Sequence, residues 1–122
     1  MVGPSSILLA MMSSGLNGNN FSFNGYLPID KNERLKKIKQ LEVYSKNNNQ
    51  SQIFIETPYR NNTLFEDLIK SLNNNTFLCI ARNIGSKKQN IKTLSVNYWK
   101  RKKIILEKEP AIFIFHSGKI IF

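Results

Sequence analysis

The chain reads as a single α/β domain built on a mixed sheet of about five strands with flanking helices. Three observations carry this. The short apolar runs "QIFIE", "TFLCIA" and "AIFIF" have the length and the β-branched or aromatic content of buried strands. Amphipathic stretches with helical spacing lie among these runs, the alternation expected where helices cross over a sheet. A length of 122 residues with 41% hydrophobic content supplies one packed core, and no polar linker is long enough to divide it.

In chain order, Gly3 and Pro4 form a turn, and Ser5 or Ser6 can accept the free amides that start a helix near residues 4–14. Ile7 to Met12 is apolar on every side, which predicts burial all round, and Gly15 supplies the stop. Phe21, Phe23 and Leu27 suggest a short strand whose exit is bent by Gly25 and Pro28. Over residues 32–45, Leu35, Ile38 and Leu41 fall at helical spacing with Lys36, Lys37 and Lys39 opposite, before "KNNNQSQ" breaks the pattern. Gln52–Glu56 is a strand closed by Pro58. A second helix over residues 60–72 carries Leu64, Phe65, Leu68, Ile69 and Leu72, with Thr63 and Glu66 at capping-box spacing as an alternative start. Thr76–Ala81 is a strand. In "KTLSVNYW", Leu94, Val96 and Tyr98 alternate as in a strand with one wet face. "KRKKIILEKE" reads as a short helical turn and Ala111–Phe115 as the last strand. A helix joins "IFIET" to "TFLCIA", so these two strands are expected to be parallel and adjacent or nearly so.

The formal charge of +10 raises the prospect of a polyanionic partner. Fourteen of the eighteen basic residues are Lys, beside sixteen Asn and fifteen Ile. All three have A/T-rich codons, so base composition alone can produce much of this excess. The one cysteine, Cys79, sits in an apolar run and reads as a buried, inert thiol, which excludes an intrachain disulfide and suits a reducing cytoplasm. No run of eighteen apolar residues spans a membrane, and the apolar opening lacks the basic start of a signal peptide. There is no glycine-rich dinucleotide loop, no Walker loop and no metal-ligand cluster. His116, the one histidine, ends an apolar strand with no acid nearby in sequence.

Three stretches can carry chemistry. In "IETPYRNN", Glu56 ends a strand, Thr57 can cap, Pro58 suits a first helical position, and Tyr59 and Arg60 project from the helix start. Ligands gather at such strand ends in α/β sheets; the alternative is an ordinary turn in which Glu56 pairs with Arg60. "GPSS" can hold an anion or simply cap its helix. "YWKRKK", residues 98–103, interleaves aromatic and basic side chains as nucleic-acid surfaces do, or is a solvated loop around a half-buried Trp99.

Taken in order, "VGPSSILLAMMSSGLNGNNFSFNGYLP", "IFIETPYRNNTL", "LCIARNI" and "PAIFIF" resemble the C-terminal half of the tetrapyrrole methylase superfamily. The resemblance is greatest to its S-adenosylmethionine-dependent methyltransferases related to the ribosomal RNA small-subunit ribose methyltransferases. It implies a two-domain α/β enzyme with the methyl donor in the cleft between the domains. By resemblance, Gly3, Pro4, Ser5 and Ser6 open the second domain and face that cleft, and Ile55, Glu56, Thr57, Pro58, Arg60 and Ala81 line the same side. The donor contacts it implies are Pro4, Ser5, Ser6, Ile55, Glu56, Thr57 and Ala81, made by backbone and apolar groups. Substrate contacts fall to Arg60, Lys100 and Arg101. Methyl transfer from a sulfonium needs alignment above all, so no acid–base pair is implied. The loop "ARNIGSKKQN" departs from the family, with Asn83 and Gln89 at positions that are commonly acidic there.

On this reading residues 1–122 form the second domain, with Met1 standing at the interdomain linker and the donor-holding first domain absent. The expected partners are that domain or a second copy of the chain, and RNA, with neither metal nor membrane. The expected role is the C-terminal domain of a cytoplasmic methyltransferase acting on RNA. A basic RNA-binding module without catalysis, or a remnant without independent function, are the alternatives. An apolar patch beside Ser5, Glu56 and Arg60 is expected to make the isolated chain self-associate.

Overall fold

Before its terminal His116, "AIFIFH" has no position that favours water on either side, so the strand it forms must sit at the centre of a sheet covered twice. The computed structural model describes residues 21–57, 60–83, 87, 90–102, 106 and 111–117. Its strands are β1 (Phe21–Tyr26), β2 (Ser51–Glu56), β3 (Phe77–Arg82), β4 (Asn90–Ser95) and β5 (Ala111–His116), in one sheet of order β1-β2-β5-β3-β4. The described helices are α1 (Lys31–Asn48), α2 (Asn61–Ser71) and α3 (Val96–Lys102). All six residues of β5 are buried. It runs antiparallel to both β2 and β3, which are therefore parallel to each other with one strand between them, as the helical crossover requires. β1 runs parallel to β2 at one edge of the sheet, and β4 antiparallel to β3 at the other. Gly25, at φ +67°, sits where the β1–β2 register shifts between Phe23 and Tyr26.

Alternation divides the strand residues between two faces. Phe54, Leu78, Ile80, Phe113 and Phe115 meet Ile38 and Leu41 of α1, Leu64, Phe65 and Leu68 of α2, and Val96 and Trp99 of α3. Phe54 stacks on Phe113 with ring centroids 6.1 Å apart and meets Phe115 edge-on at 5.6 Å. Trp99 meets Phe65 edge-on and donates its indole N–H to the Leu78 carbonyl at 2.7 Å, so the largest core side chain has its polar atom satisfied. The second face carries Ile53, Cys79, Ala81, Ile112 and Ile114, all buried, with Ile55, Phe77 and Ile91 partly so. Among the described residues no helix contributes to this second cluster.

Several elements differ from the sequence reading. α1 starts earlier because the Asp30 carboxylate accepts the Glu33 amide at 3.0 Å. It ends later because Asn47 and Asn48 continue the helix and Asn49 takes the left-handed stop at φ 49°. Its buried face is Arg34, Ile38, Leu41, Glu42 and Ser45, so the spacing is helical but two of its residues are ionic. α2 begins at Asn61, and Arg60 at its cap makes no side-chain capping bond. Val96 and Tyr98 are not in a strand. The amides of Val96 and Asn97 turn away to the carbonyls of Thr76 and Asn74, and Val96 and Trp99, three residues apart, bury one helical face. The expected opening helix, with Pro4, Ser5 and Ser6, lies outside the described residues.

The buried charges tie the helices to the loops. The Arg34 guanidinium meets the Asp67 carboxylate at 2.7 Å and donates to the carbonyls of Pro28 and Ile29, fixing α1, α2 and the exit of β1 together. The Glu42 carboxylate accepts the Asn73 amide and the Thr76 hydroxyl at 2.8 and 2.7 Å, closing the turn into β3. Breaking a buried pair strands the remaining charge. Asp67→Ala is expected to cost about 3–5 kcal/mol in urea unfolding, whereas Arg34→Met with Asp67→Leu is expected to cost much less. Equal losses in the two variants would contradict this role for the pair.

Candidate functional site at the strand ends

β1, β2 and β3 are parallel, so Tyr26, Glu56 and Arg82 finish at one edge of the sheet, where ligands bind in folds of this class. The strand register places Tyr26, Ile55, Ile112, Ala81 and Ile91 in one row across all five strands. Of the residues singled out in the sequence, Ile55 and Ala81 are thereby brought together on the second face. Two strand spacings put them about 10 Å apart, with only Ile112 between. Tyr26 is exposed at one end of this row, and Ile29 is exposed just beyond it in sequence, so the edge presents apolar surface to its surroundings.

Glu56 is one residue further along, on the helix face, in register with Ala111 and Arg82. Its carboxylate is turned onto its own chain and accepts the Thr57 amide at 2.7 Å. The Thr57 carbonyl accepts the Arg60 amide at 2.9 Å, so Glu56 and Thr57 shape the turn leading into α2. Arg60 is exposed and does not pair with Glu56; the one ion pair among the described residues is Arg34–Asp67. Pro58, Tyr59 and Gln89 lie outside the described residues, as do Gly3, Pro4, Ser5 and Ser6. Asn83 follows β3 directly in the left-handed conformation at φ 52°, which asparagine adopts more readily than most residues.

Lys100 and Arg101 are not beside that row. Lys100 Nζ donates to the Asn74 side-chain oxygen at 2.7 Å, in the turn before β3, and Arg101 lies over the Tyr98 ring at 5.9 Å. Two features of this edge escaped the sequence reading. The Asn62 side chain, in the first turn of α2, bonds both the carbonyl and the amide of Leu106, at 2.6 and 2.5 Å. This pins Leu106 to the first turn of α2, and an asparagine pair in a turn-like sequence gave no signal of it. The second feature is a recess lined by Arg82, Asn90, Lys92 and Lys102, whose members lie far apart in sequence.

His116 is fully buried at the opposite edge, about 17 Å along β5 from Ala111. Its Nδ1 bonds Ser51 Oγ, and its Nε2 bonds the Asn49 side-chain oxygen, both at 2.9 Å. An amide oxygen only accepts, so in this arrangement Nε2 carries the proton and Ser51 donates to Nδ1. The network joins the end of α1 to the centre of the sheet. Among the described residues no group of three His, Cys, Asp or Glu side chains can hold a metal, and no helix is long and apolar enough to cross a membrane.

Cys79, on the second face, is buried, and burial pushes its thiol up to about 11 against a smaller opposing effect of a hydrogen bond with Thr93. The raised value belongs to the folded state. Its stabilising contribution is therefore complete below the unfolded thiol's pKa of about 8.5 and is lost as pH rises through about 11. At pH 9.5, between these values, a thiol reagent is expected to modify Cys79 only as fast as the chain unfolds. The stability margin of the wild type over Cys79→Ala should shrink across the same window. Rapid modification of the folded chain would contradict burial of the thiol.

No family model matches the chain. It is 32% identical over 119 residues to ribosomal RNA small subunit methyltransferase I of Buchnera aphidicola subsp. Schizaphis graminum, covering 95% of this chain and 40% of that protein. It is 29% identical over 82 residues to the protein of the same name in Vibrio cholerae, covering 67% of this chain and 27% of the relative. The chain thus spans less than half the length of the relatives it matches. Among solved structures it is similar to the methyltransferase CobJ, with a TM-score of 0.61 at 12% identity over 95% of this chain and 50% of that one. A diphthine synthase candidate from Entamoeba histolytica gives a TM-score of 0.63 at 14% identity, over 94% of this chain and 52% of that chain. At these identities the structural likeness concerns the fold.

Proposed function

We propose that this chain, which has the tetrapyrrole-methylase fold and is homologous to the ribosomal RNA small subunit methyltransferases I, is the C-terminal domain of an S-adenosylmethionine-dependent methyltransferase acting on ribosomal RNA. The observation that carries this reading is the match to a ribosomal RNA methyltransferase over 95% of the chain. The strand-end row supports it, because it offers what one wall of a donor cleft requires. Ile55 is partly exposed in this apolar row and Ala81 is buried in it, and the strand-end peptides beside them suit the polar edge of an adenine.

S-adenosylmethionine supplies an electrophilic methyl group on a sulfonium, so the work of the protein is alignment rather than proton transfer. Glu56 fits that division of labour. Its carboxylate holds the Thr57 amide, and so sets the course of the turn without acting as a base. Ala81 keeps the middle of the row shallow where a longer side chain would overpack a fully buried position. Pro4, Ser5 and Ser6 complete this wall in our reading, and Arg60, Lys100 and Arg101 serve the RNA. A first domain, in the same polypeptide or a separate one, supplies the opposite wall and covers the exposed Tyr26 and Ile29. The setting is the cytoplasm.

The test is reconstitution. The chain is combined with the first domain of the Buchnera relative, labelled S-adenosylmethionine and small ribosomal subunits. Label is expected in the subunit RNA only when both domains are present. Two folded, associated domains that transfer no label would overturn the reading.

A further inference from the structure

The recess between β3, β4 and the end of α3 is a consequence of register. Arg82 is the partner of Asn90, and Ile80 is the partner of Lys92, so all four side chains stand on the helix face. α3 crosses that face and brings Lys102 over them, with buried Trp99 and Ile80 beneath, around a cavity of about 50 Å³. A single water needs only about 10–15 Å³ of such space, so the recess has room for a polyatomic group. None of the described residues lining it is acidic.

Lys92 and Lys102 line the same recess, and the proximity of Lys92 holds the Lys102 ammonium below its ordinary range. Two cations held together favour an anion between them. Tyr98 lies one helical turn before Lys102 on the same side of α3 and is exposed; Arg101 lies over one face of its ring, so a base would stack on the other face.

We propose that the recess seats one phosphodiester of an RNA strand, with Lys92 and Lys102 as its two cationic arms, Asn90 donating from its floor, and Tyr98 stacking a neighbouring base. The inference rests on the RNA substrate proposed above and adds where the strand is gripped. The adjoining aromatic favours a strand over free phosphate, which shares the same phosphoryl chemistry but has nothing to stack.

The full chain carrying Lys92→Gln with Lys102→Gln is compared with Lys36→Gln with Lys39→Gln, an equal charge loss on exposed positions of α1. Binding of a single-stranded fragment of small-subunit RNA is measured against salt, and the Lys102 ammonium is followed by NMR during titration with the RNA and with inorganic phosphate. Each phosphate contact contributes about 0.7 to the salt slope for single strands. The recess variant is expected to lower the slope by about that amount and the α1 variant by less, while Tyr98→Ala weakens binding with the slope unchanged. RNA should raise the Lys102 pKa. Equal effects of the two double variants, or a Lys102 response to phosphate but not to RNA, would overturn the seat. If the seat fails while the reconstituted enzyme still methylates ribosomal RNA, the parent reading stands. If labelled methyl transfer fails while the recess holds RNA, the parent reading falls and the seat remains.

Discussion

A central strand with no polar face governs this molecule. β5 cannot tolerate water on either side, so the sheet must be covered twice, and the rest of the architecture follows. On one side the three described helices meet Phe54, Phe113 and Phe115. On the other side Ile53, Cys79, Ala81, Ile112 and Ile114 form a cluster of strand residues alone among those described. Inserting β5 antiparallel between β2 and β3 also separates the carboxyl ends of those two strands by two spacings. The apolar row from Tyr26 to Ile91 spans that interval, and it is this surface that we read as one wall of a donor cleft.

Much of this was legible in the sequence because the three central strands are mostly apolar and α2 carries Leu64, Phe65 and Leu68 at helical spacing. The parallel relation of β2 and β3 followed from the crossover between them. Other features depended on tertiary partners that no local pattern encodes. The buried face of α1 includes Arg34 and Glu42, and these are tolerated only because Asp67, Asn73 and Thr76 arrive from elsewhere in the chain. Leu94, Val96 and Tyr98 alternate as a strand would, yet Val96 and Trp99 also share a helical face. Burial of the indole decided between the two patterns.

The candidate site was legible in a similar, partial way. Ile55 and Ala81 share a row, as residues at the ends of parallel strands should. Glu56 lies on the opposite face and acts on the backbone, which residue type alone does not distinguish from a catalytic carboxylate. The basic run at 98–103 looked like one surface, but α3 distributes it: Lys100 reaches Asn74, Arg101 covers Tyr98, and Lys102 meets Lys92. Only the packing of α3 across β3 and β4 makes Lys92 and Lys102 neighbours.

The described strand-end wall is apolar and offers a sulfonium donor little beyond van der Waals contact and peptide groups. The account therefore requires two domains for donor binding. Calorimetric titration of S-adenosylmethionine into the chain, alone and then with the first domain of a close relative, tests this most directly. The account predicts no measurable heat for the chain alone and a dissociation constant on the order of micromolar, about −8 kcal/mol, for the pair. Micromolar binding by the chain alone, as a monomer, would contradict it.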